Sequence, residues 1–574
     1  MCKPWENVSM SKAMTSAFRA ESLAAMSDDR GLDILVIGGG ITGVGAALDA
    51  ATRGLRVGIV EAADWSEGTS SRSSKLVHGG LRYLEMLDFA LVHEALTERD
   101  LLVNRLAPHL VKPVSFVFPL EHRLWQRLYV GAGILLYDVL ASISRQNRAM
   151  SWHRHFTKHG LRKIFPDLHP NAAIGGIRYW DATVDDARLV LTVLRTAVEH
   201  GAFAAARTRV VELLHEGDRI VGAIVEDRET GERHSVHAKQ VISATGVWTE
   251  ETQSMSPSQQ GLQVLASKGV HIVVPKSRIR GESGFILETE KSVLFIIPWS
   301  RYWIIGTTDT PWHGDFRYPA ATAADVDYIL ERANRVVSPP LTRTDIVGVW
   351  AGLRPLLQPT SNAGTSAKVS REHTTMSPKP GLTVIAGGKL TTYRVMAEDA
   401  VDFAMRGTKV PKSSTDNVLL LGAEALAAMR KAMGAPQQRY GWSDQMVEHL
   451  LHRYGSMMSE LLAAIEAQPD LAQPLRYAPD YLRAEVHYAA THEGVLHLAD
   501  VMLHRTRLAY EMRDGGVTAS EEILDVIAPV LGWDVKRCRQ EAADYAKLHA
   551  AISVAAMMQD DLSAEAQLRT AVNA

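Results

Sequence analysis

Three glycines and an acid, Gly38, Gly40, Gly43 and Glu61, have the types and spacing to hold a dinucleotide. Gly38 permits the tight turn of a phosphate loop. Gly40 lets the backbone approach a pyrophosphate whose charge rests on a helix N-terminus, and Gly43 lets that helix pack closely on the strand before it. Glu61 lies 21 residues beyond Gly40, where a carboxylate accepts bonds from ribose hydroxyls and repels a 2′-phosphate. The elements that must position these groups surround them. Ile34-Leu35-Val36-Ile37 is a short apolar run suited to a buried parallel strand. Ile41 and Thr42 open an alanine-rich helix, Gly54 closes it, and 55–60 supplies a second strand that ends on the acid.

The residues beyond Glu61 bear on which dinucleotide is held. Thr69-Ser70-Ser71-Arg72-Ser73-Ser74-Lys75 is dense in hydroxyls and cations, and leads into Leu76-Val77-His78-Gly79-Gly80-Leu81-Arg82-Tyr83-Leu84. Two more glycine-bearing turns come after predicted strands: Ala244-Thr245-Gly246 after 240–243, and Ala386-Gly387-Gly388-Lys389-Leu390-Thr391-Thr392 after 382–385. Three such turns after three strands point to FAD rather than NAD. On this reading Thr69, Ser70, Ser74, Lys75, Leu76, Gly79, Gly80, Thr245, Gly246, Lys389, Leu390, Thr391 and Thr392 join Gly38, Gly40, Ile41, Thr42, Gly43 and Glu61 as cofactor-binding residues.

At these residues the chain resembles the FAD-dependent respiratory glycerol-3-phosphate dehydrogenases, within the D-amino-acid oxidase-like flavoproteins. The resemblance rests on six strings in order. They are 73–85 (Ser-Ser-Lys-Leu-Val-His-Gly-Gly-Leu-Arg-Tyr-Leu-Glu), Val184-Asp185-Asp186-Ala187-Arg188-Leu189, Lys268-Gly269-Val270-His271-Ile272-Val273-Val274-Pro275, Ile304-Ile305-Gly306-Thr307-Thr308-Asp309, Gly352-Leu353-Arg354-Pro355-Leu356 and Gly387-Gly388-Lys389-Leu390-Thr391-Thr392-Tyr393-Arg394. It implies oxidation of sn-glycerol 3-phosphate to dihydroxyacetone phosphate, with electrons passed to a membrane quinone.

That chemistry asks the protein to hold an anionic substrate, take a hydroxyl proton and stabilise charge on the reduced ring. Arg82, Arg354, Arg371 and Lys389 are candidates for the substrate anion, because guanidinium groups grip phosphate oxygens bidentately and lysine adds a point charge. The resemblance carries Arg82, Arg354 and Lys389 residue for residue, with Tyr83 beside Arg82; Arg371 matches less firmly. His271 is the preferred general base, since an imidazole near its ordinary pKa of about 6.5 accepts a proton at neutral pH. His78, in the glycine-flanked loop, is the rival. Arg354 is thus read both as catalytic and as substrate-binding. Thr391 and Thr392 fit a helix start aimed at the flavin and equally fit plain helix caps. No spacing of His and carboxylates suggests a metal.

A chain of 574 residues exceeds a single core, and its 46% apolar content suffices to bury two or three. The net charge of −3 argues against nucleic acid as a partner. Two cysteines, Cys2 and Cys538, give no disulfide framework, and no secretory signal is evident, so a reducing compartment is expected. The predicted fold class is α/β: a Rossmann-like FAD-binding domain (31–106, 171–261, 345–408) interleaved with a β-rich substrate domain (107–170, 262–344), plus a C-terminal α-helical cap domain (409–574). Residues 1–30 are expected to be a flexible N-terminal extension. A homo-oligomer is left open.

One segment bears on location. Residues 128–137 are apolar without interruption, whereas a membrane-spanning helix needs about twenty such residues. From 121 to 163 the chain carries eight Lys/Arg against Glu121 and Asp138, with Trp125, Tyr129, Tyr137 and Trp152 among them. A buried core helix with a solvated basic loop fits this pattern as well. The implied quinone tilts the expectation to a cytoplasmic enzyme held peripherally on the inner face of the cytoplasmic membrane. The rivals are an oxidase using oxygen, an FAD-dependent 2-hydroxy acid dehydrogenase, and a flavin-bearing sensor module without turnover.

Overall fold

The computed structural model describes residues 10–84, 87–122, 125–143, 148–258, 261–289, 293–359 and 373–573. Its two sheets divide the chemistry. In the first, strands run in the order His373–Lys379, Leu382–Gly387, Arg233–Ser243, Leu32–Ile37, Val57–Val60, Phe203–Ala205, with Arg219–Asp227 and Thr208–Glu216 continuing from Arg233–Ser243. The four strands from Leu382–Gly387 to Val57–Val60 pair in parallel, with Ile34 opposite Gln240 and Val57. Parallel neighbours end at the same edge, so the three glycine turns, 140 or more residues apart in sequence, meet along one crevice.

The second sheet runs Thr310–Pro311, Leu262–Pro275, Tyr302–Gly306, Val293–Trp299, Gly284–Glu288, Lys112–Leu120, Gly175–Thr183, Leu76–Val77. Its longest strand, Leu262–Pro275, also pairs antiparallel with Gly348–Pro359 over twelve residues. This corrects the expected domain spans. Gly175–Thr183 and Gly348–Pro359 belong to the substrate sheet, not to the FAD-binding portions 171–261 and 345–408.

Residues 10–30 are not the flexible extension expected. Thr15 caps the helix Ser16–Met26 by accepting from the Phe18 amide, and Leu23 and Met26 are buried. Met26 lies against Gly58, and Arg19 grips Asp227 through both terminal nitrogens, at 2.6 and 3.0 Å.

The apolar run 128–137 forms the middle of a helix, Trp125–Ile143. Gly131, Ile134, Tyr137, Asp138 and Ala141 recur at helical spacing and are buried against the substrate sheet. The other face is apolar too and lies open: Leu128 is 73% exposed, Trp125 and Tyr129 62%, and Leu135, Leu136 and Ile143 are exposed as well. No helix among the described residues is long and apolar enough to cross a membrane.

From Leu426 the chain is helical to Asn573, around a separate core that includes Leu450, Leu461, Ile465, Tyr481, Val501 and Ile523.

Candidate active site

The phosphate loop is built by close approach. Gly38 has φ +110°, and a Cβ there would stand 2.6 Å from the Ala244 carbonyl oxygen of the second glycine turn. A Cβ on Gly43 would stand 1.9 Å from the Gly38 carbonyl oxygen, so helix and strand meet backbone to backbone. Gly40 occupies the N-cap of Ile41–Thr52 without a capping side chain; the Ile41 amide donates to the Ser70 hydroxyl at 3.0 Å. The helix start thus offers amides to an anion. Glu61 accepts from the Gly39 amide at 2.6 Å and the Ala63 amide at 2.8 Å. Burial pushes its carboxyl up, against those two amides. Thr245 hydrogen-bonds Ser243 and Thr252 at 3.2 Å, and Gly246 (φ +55°) turns the chain away. Three parallel strand ends, a helix start whose N-cap Gly40 brings no capping side chain, and a terminal acid fit FAD.

A cleft of about 630 Å³, its open mouth included, adjoins the cradle. It is lined by Thr69, Arg72, Ser73, Ser74, Leu76 and His78, then Gly269 and His271, then Gly352, Leu353 and Arg354, and finally Lys389, Leu390 and Thr391. Its floor arises from the two-residue period of strands. In the pair Leu262–Pro275 and Gly348–Pro359, Ser267 faces Arg354, Gly269 faces Gly352 and His271 faces Trp350, all on one side. The glycines keep that side open. A Cβ on Gly269 would meet Thr307 Oγ1 at 2.6 Å, and one on Gly352 the Arg72 carbonyl oxygen at 2.4 Å.

His271 is 2% exposed. Its ring stacks on Trp350, with centroids 5.1 Å apart, and Nε2 lies 2.8 Å from the Ser74 hydroxyl. Nδ1 is buried without a hydrogen-bond partner among the described residues. Burial first, then the charges of Arg354 and Lys75, hold this imidazole well below its usual 6.5. It is therefore neutral at pH 7, the form that accepts a proton.

Arg354 donates through Nη1 to Asp309 at 3.1 Å and the Thr308 carbonyl at 3.3 Å, and through Nη2 to Thr307 Oγ1 at 3.1 Å. Asp309 in turn accepts from Ser267. Lys389 places its ammonium 3.7 Å from the centroid of the buried Tyr83 ring, a cation–π contact. The Thr391 hydroxyl accepts from the His78 amide and donates to its carbonyl oxygen, at 3.0 and 3.1 Å, so the third glycine turn and the His78 loop are tied together. The Gly79 amide donates to the Tyr137 hydroxyl at 2.9 Å, and Gly80 (φ +75°) carries the chain into Leu81–Leu84.

The sequence-derived residues thus gather on one crevice and cleft, with exceptions. The Lys75 ammonium is turned from the cleft: it pairs with buried Asp186, donates to the Ser71 carbonyl at 3.0 Å and lies over the Trp299 and Trp350 rings. Thr69 spends its hydroxyl on the Leu353 carbonyl, at 2.7 Å. Thr392 is buried before Tyr393–Ala404. The Arg82 side chain and all of Arg371 lie outside the described residues. Sequence reasoning passed over Arg72, which lines the cleft and pairs with Glu67 at 2.8 Å, and over Thr307 and Asp309, which hold Arg354. All three stood inside strings already singled out.

Comparison with known proteins agrees with this geometry. The model of the FAD dependent oxidoreductase family matches residues 33–394, and that of the C-terminal domain of alpha-glycerophosphate oxidase matches 413–538. The chain is 50% identical to glycerol-3-phosphate dehydrogenase 2 of Mycobacterium tuberculosis, over 93% of this chain and 90% of that protein. It is 35% identical to the human mitochondrial glycerol-3-phosphate dehydrogenase, over 90% of this chain and 73% of that one. The crystal structure of the glycerol-3-phosphate dehydrogenase from Bacillus halodurans complexed with FAD superposes with a TM-score of 0.75 at 29% identity, covering 93% of this chain and 97% of that one. This chain belongs to the FAD-dependent glycerol-3-phosphate dehydrogenase family, with FAD as its cofactor.

Proposed function

We propose that the protein oxidises sn-glycerol 3-phosphate to dihydroxyacetone phosphate and passes the electrons to a membrane quinone. The observation that carries this reading is the convergence of one neutral imidazole, His271, and two cations, Arg354 and Lys389, on a cleft beside the FAD cradle. FAD supplies the two-electron acceptor. His271 takes the proton from the secondary hydroxyl, and Ser74, 2.8 Å from Nε2, orients the ring. Arg354, braced by Asp309 and Thr307, presents its planar fork to the phosphate or the developing alkoxide, and Lys389 adds a point charge. The names of the Mycobacterium, human and Bacillus relatives support the substrate.

The acceptor and location rest on the helix Trp125–Ile143. It has an open apolar face, and the exposed cations Arg154, Lys158, Arg162 and Lys163 follow it in the chain, a combination suited to the anionic inner face of the cytoplasmic membrane. An oxidase reading, with oxygen as acceptor, is favoured by the oxidase-type family match of residues 413–538.

Anaerobic mixing with glycerol 3-phosphate should bleach the oxidised-flavin band, and reoxidation should then be faster with a quinone analogue than with oxygen. Bleaching by a 2-hydroxy carboxylate and not by glycerol 3-phosphate would overturn the substrate; faster reoxidation by oxygen would make the protein an oxidase.

A further inference from the structure

The residues just after Glu61 form a wall of the FAD cradle, and the C-terminal helical domain holds that wall from behind. The Ser66 amide donates to the Gly39 carbonyl at 3.1 Å. The Trp65 ring lies so close beneath Gly39 that a Cβ there would stand 2.6 Å from it. Segment 61–68 therefore touches the phosphate loop at its amide, its carbonyl and its α-carbon.

Between these contacts stands Asp64, pointing the other way. Arg505 grips it through both terminal nitrogens, at 2.6 and 2.8 Å, and His504 Nδ1 lies 2.8 Å from the same carboxylate. Asp64 and Arg505 side chains are each 1% exposed. Arg505 also donates from Nε to the Glu493 carbonyl at 2.9 Å, which fixes the plane of its fork. Both partners come from the single wide turn Val501–Arg505, and Asp500 just before it pairs with Arg207 at 2.7 Å, whose amide bonds the Ala63 carbonyl. Burial alone would favour a protonated Asp64; the Arg505 charge and hydrogen bonds overcome it and hold the carboxyl well below its usual range. A buried charge left without its partner is costly, so the wall leaves the phosphate loop only if the domain interface opens. A planar, bidentate pair also fixes direction as well as distance.

We propose that Arg505, with His504, is a positioning pair that makes the C-terminal helical domain the clasp of the FAD cradle, holding segment 61–68 against the phosphate loop and so slowing the loss of FAD. The pair touches no substrate; it acts through Asp64.

The test monitors FAD release from diluted holoenzyme by the rise in flavin fluorescence, beside thermal melts of the apoprotein by circular dichroism. Arg505→Lys keeps the charge but loses the fork, and should speed release by at least about tenfold. Arg195→Lys is the control. That guanidinium is also buried in the domain interface, against Ser11, Tyr488, Glu460 and, at 3.8 Å, the Glu493 carboxylate, but it makes no contact with Asp64, and release from it should stay within about twofold of wild type. Equal release from Arg505→Lys and wild type, or equal acceleration in both variants, would overturn the clasp. If Arg505→Lys does not fold, His504→Gln, which loses the ring's contacts to Asp64 and, at 3.8 Å, to Glu67 of the same segment, decides: release about threefold faster supports the proposal, and an unchanged rate ends it.

Discussion

The FAD cradle and the substrate cleft touch, yet they are assembled in opposite ways. The core of the cradle, residues 32–61, is one uninterrupted strand, loop, helix and strand, and its defining contact joins Gly38 to Gly43. The cleft draws on four stretches, 69–78, 269–271, 352–354 and 389–391, and its defining contacts join strands separated by 72 residues of chain. A local site fails through one clash. A composite site fails piecemeal, one function at a time.

The largest effect should therefore come from the cradle. Gly43→Val places side-chain atoms where a carbonyl already lies, and overpacking of this kind costs about 1–3 kcal/mol or more. The purified variant should carry almost no FAD, read from its absorbance spectrum. Retention of stoichiometric FAD would mean that the helix can move away from the strand.

His271→Asn should keep FAD and slow its reduction by glycerol 3-phosphate by about 10²–10⁴-fold, the usual contribution of a general base. In the native enzyme the acidic limb of the reduction rate should lie well below pH 6.5, because burial and the two nearby cations depress the ring. The same depression means that the unfolded chain binds the proton first. Native stability should fall as pH drops below about 6.5, and the asparagine variant should lose only the part that His271 contributes, since buried His109 and His452 are held low as well. An acidic limb unchanged in His271→Asn would transfer the proton to His78 or to water.

Arg354→Ala should lower kcat/KM by at least about tenfold, as expected for a charge-assisted contact of about 1.5–3 kcal/mol, with FAD fully bound. Loss of FAD instead would erase the division between cradle and cleft at this residue.

The smallest effect on chemistry should come from the outer helix. Serine at Leu128, Leu135 and Leu136 together should leave flavin reduction as it is and weaken sedimentation with anionic vesicles, with salt releasing part of the native protein. Ile134 is left alone, since it is fully buried in the substrate-domain core. Unchanged sedimentation would remove this helix from the membrane reading.

The same division explains what could be read in the sequence. Residues 33–61 display their strand, turn and helix locally, so loop, helix and acid were legible as a unit. In the cleft, His271, Arg354 and Lys389 were legible as residue types within strings shared with a family. That His271 faces Trp350 and Ser267 faces Arg354 was not, because no local period encodes which strand pairs with which. The substrate-sheet membership of Gly175–Thr183 and Gly348–Pro359 was missed for that reason. The helix Ser16–Met26 was missed because its burial depends on a groove made by later strands. That the Lys75 ammonium turns from the cleft was not legible either, because Asp186, its buried partner, stands 111 residues away.

The twelve-residue pairing of Leu262–Pro275 with Gly348–Pro359 has a consequence for how the gene can change. No hairpin sets its alignment; only the alternation of inward and outward side chains does. Substitutions along it trade one side chain for another. Deleting a single codon between Trp350 and Arg354 would slide one partner by a residue and turn Arg354 to the opposite side of the sheet, away from His271. Such frameshift-free deletions should be purged from this stretch even where most single replacements survive, which a deletion scan read beside a substitution scan would expose.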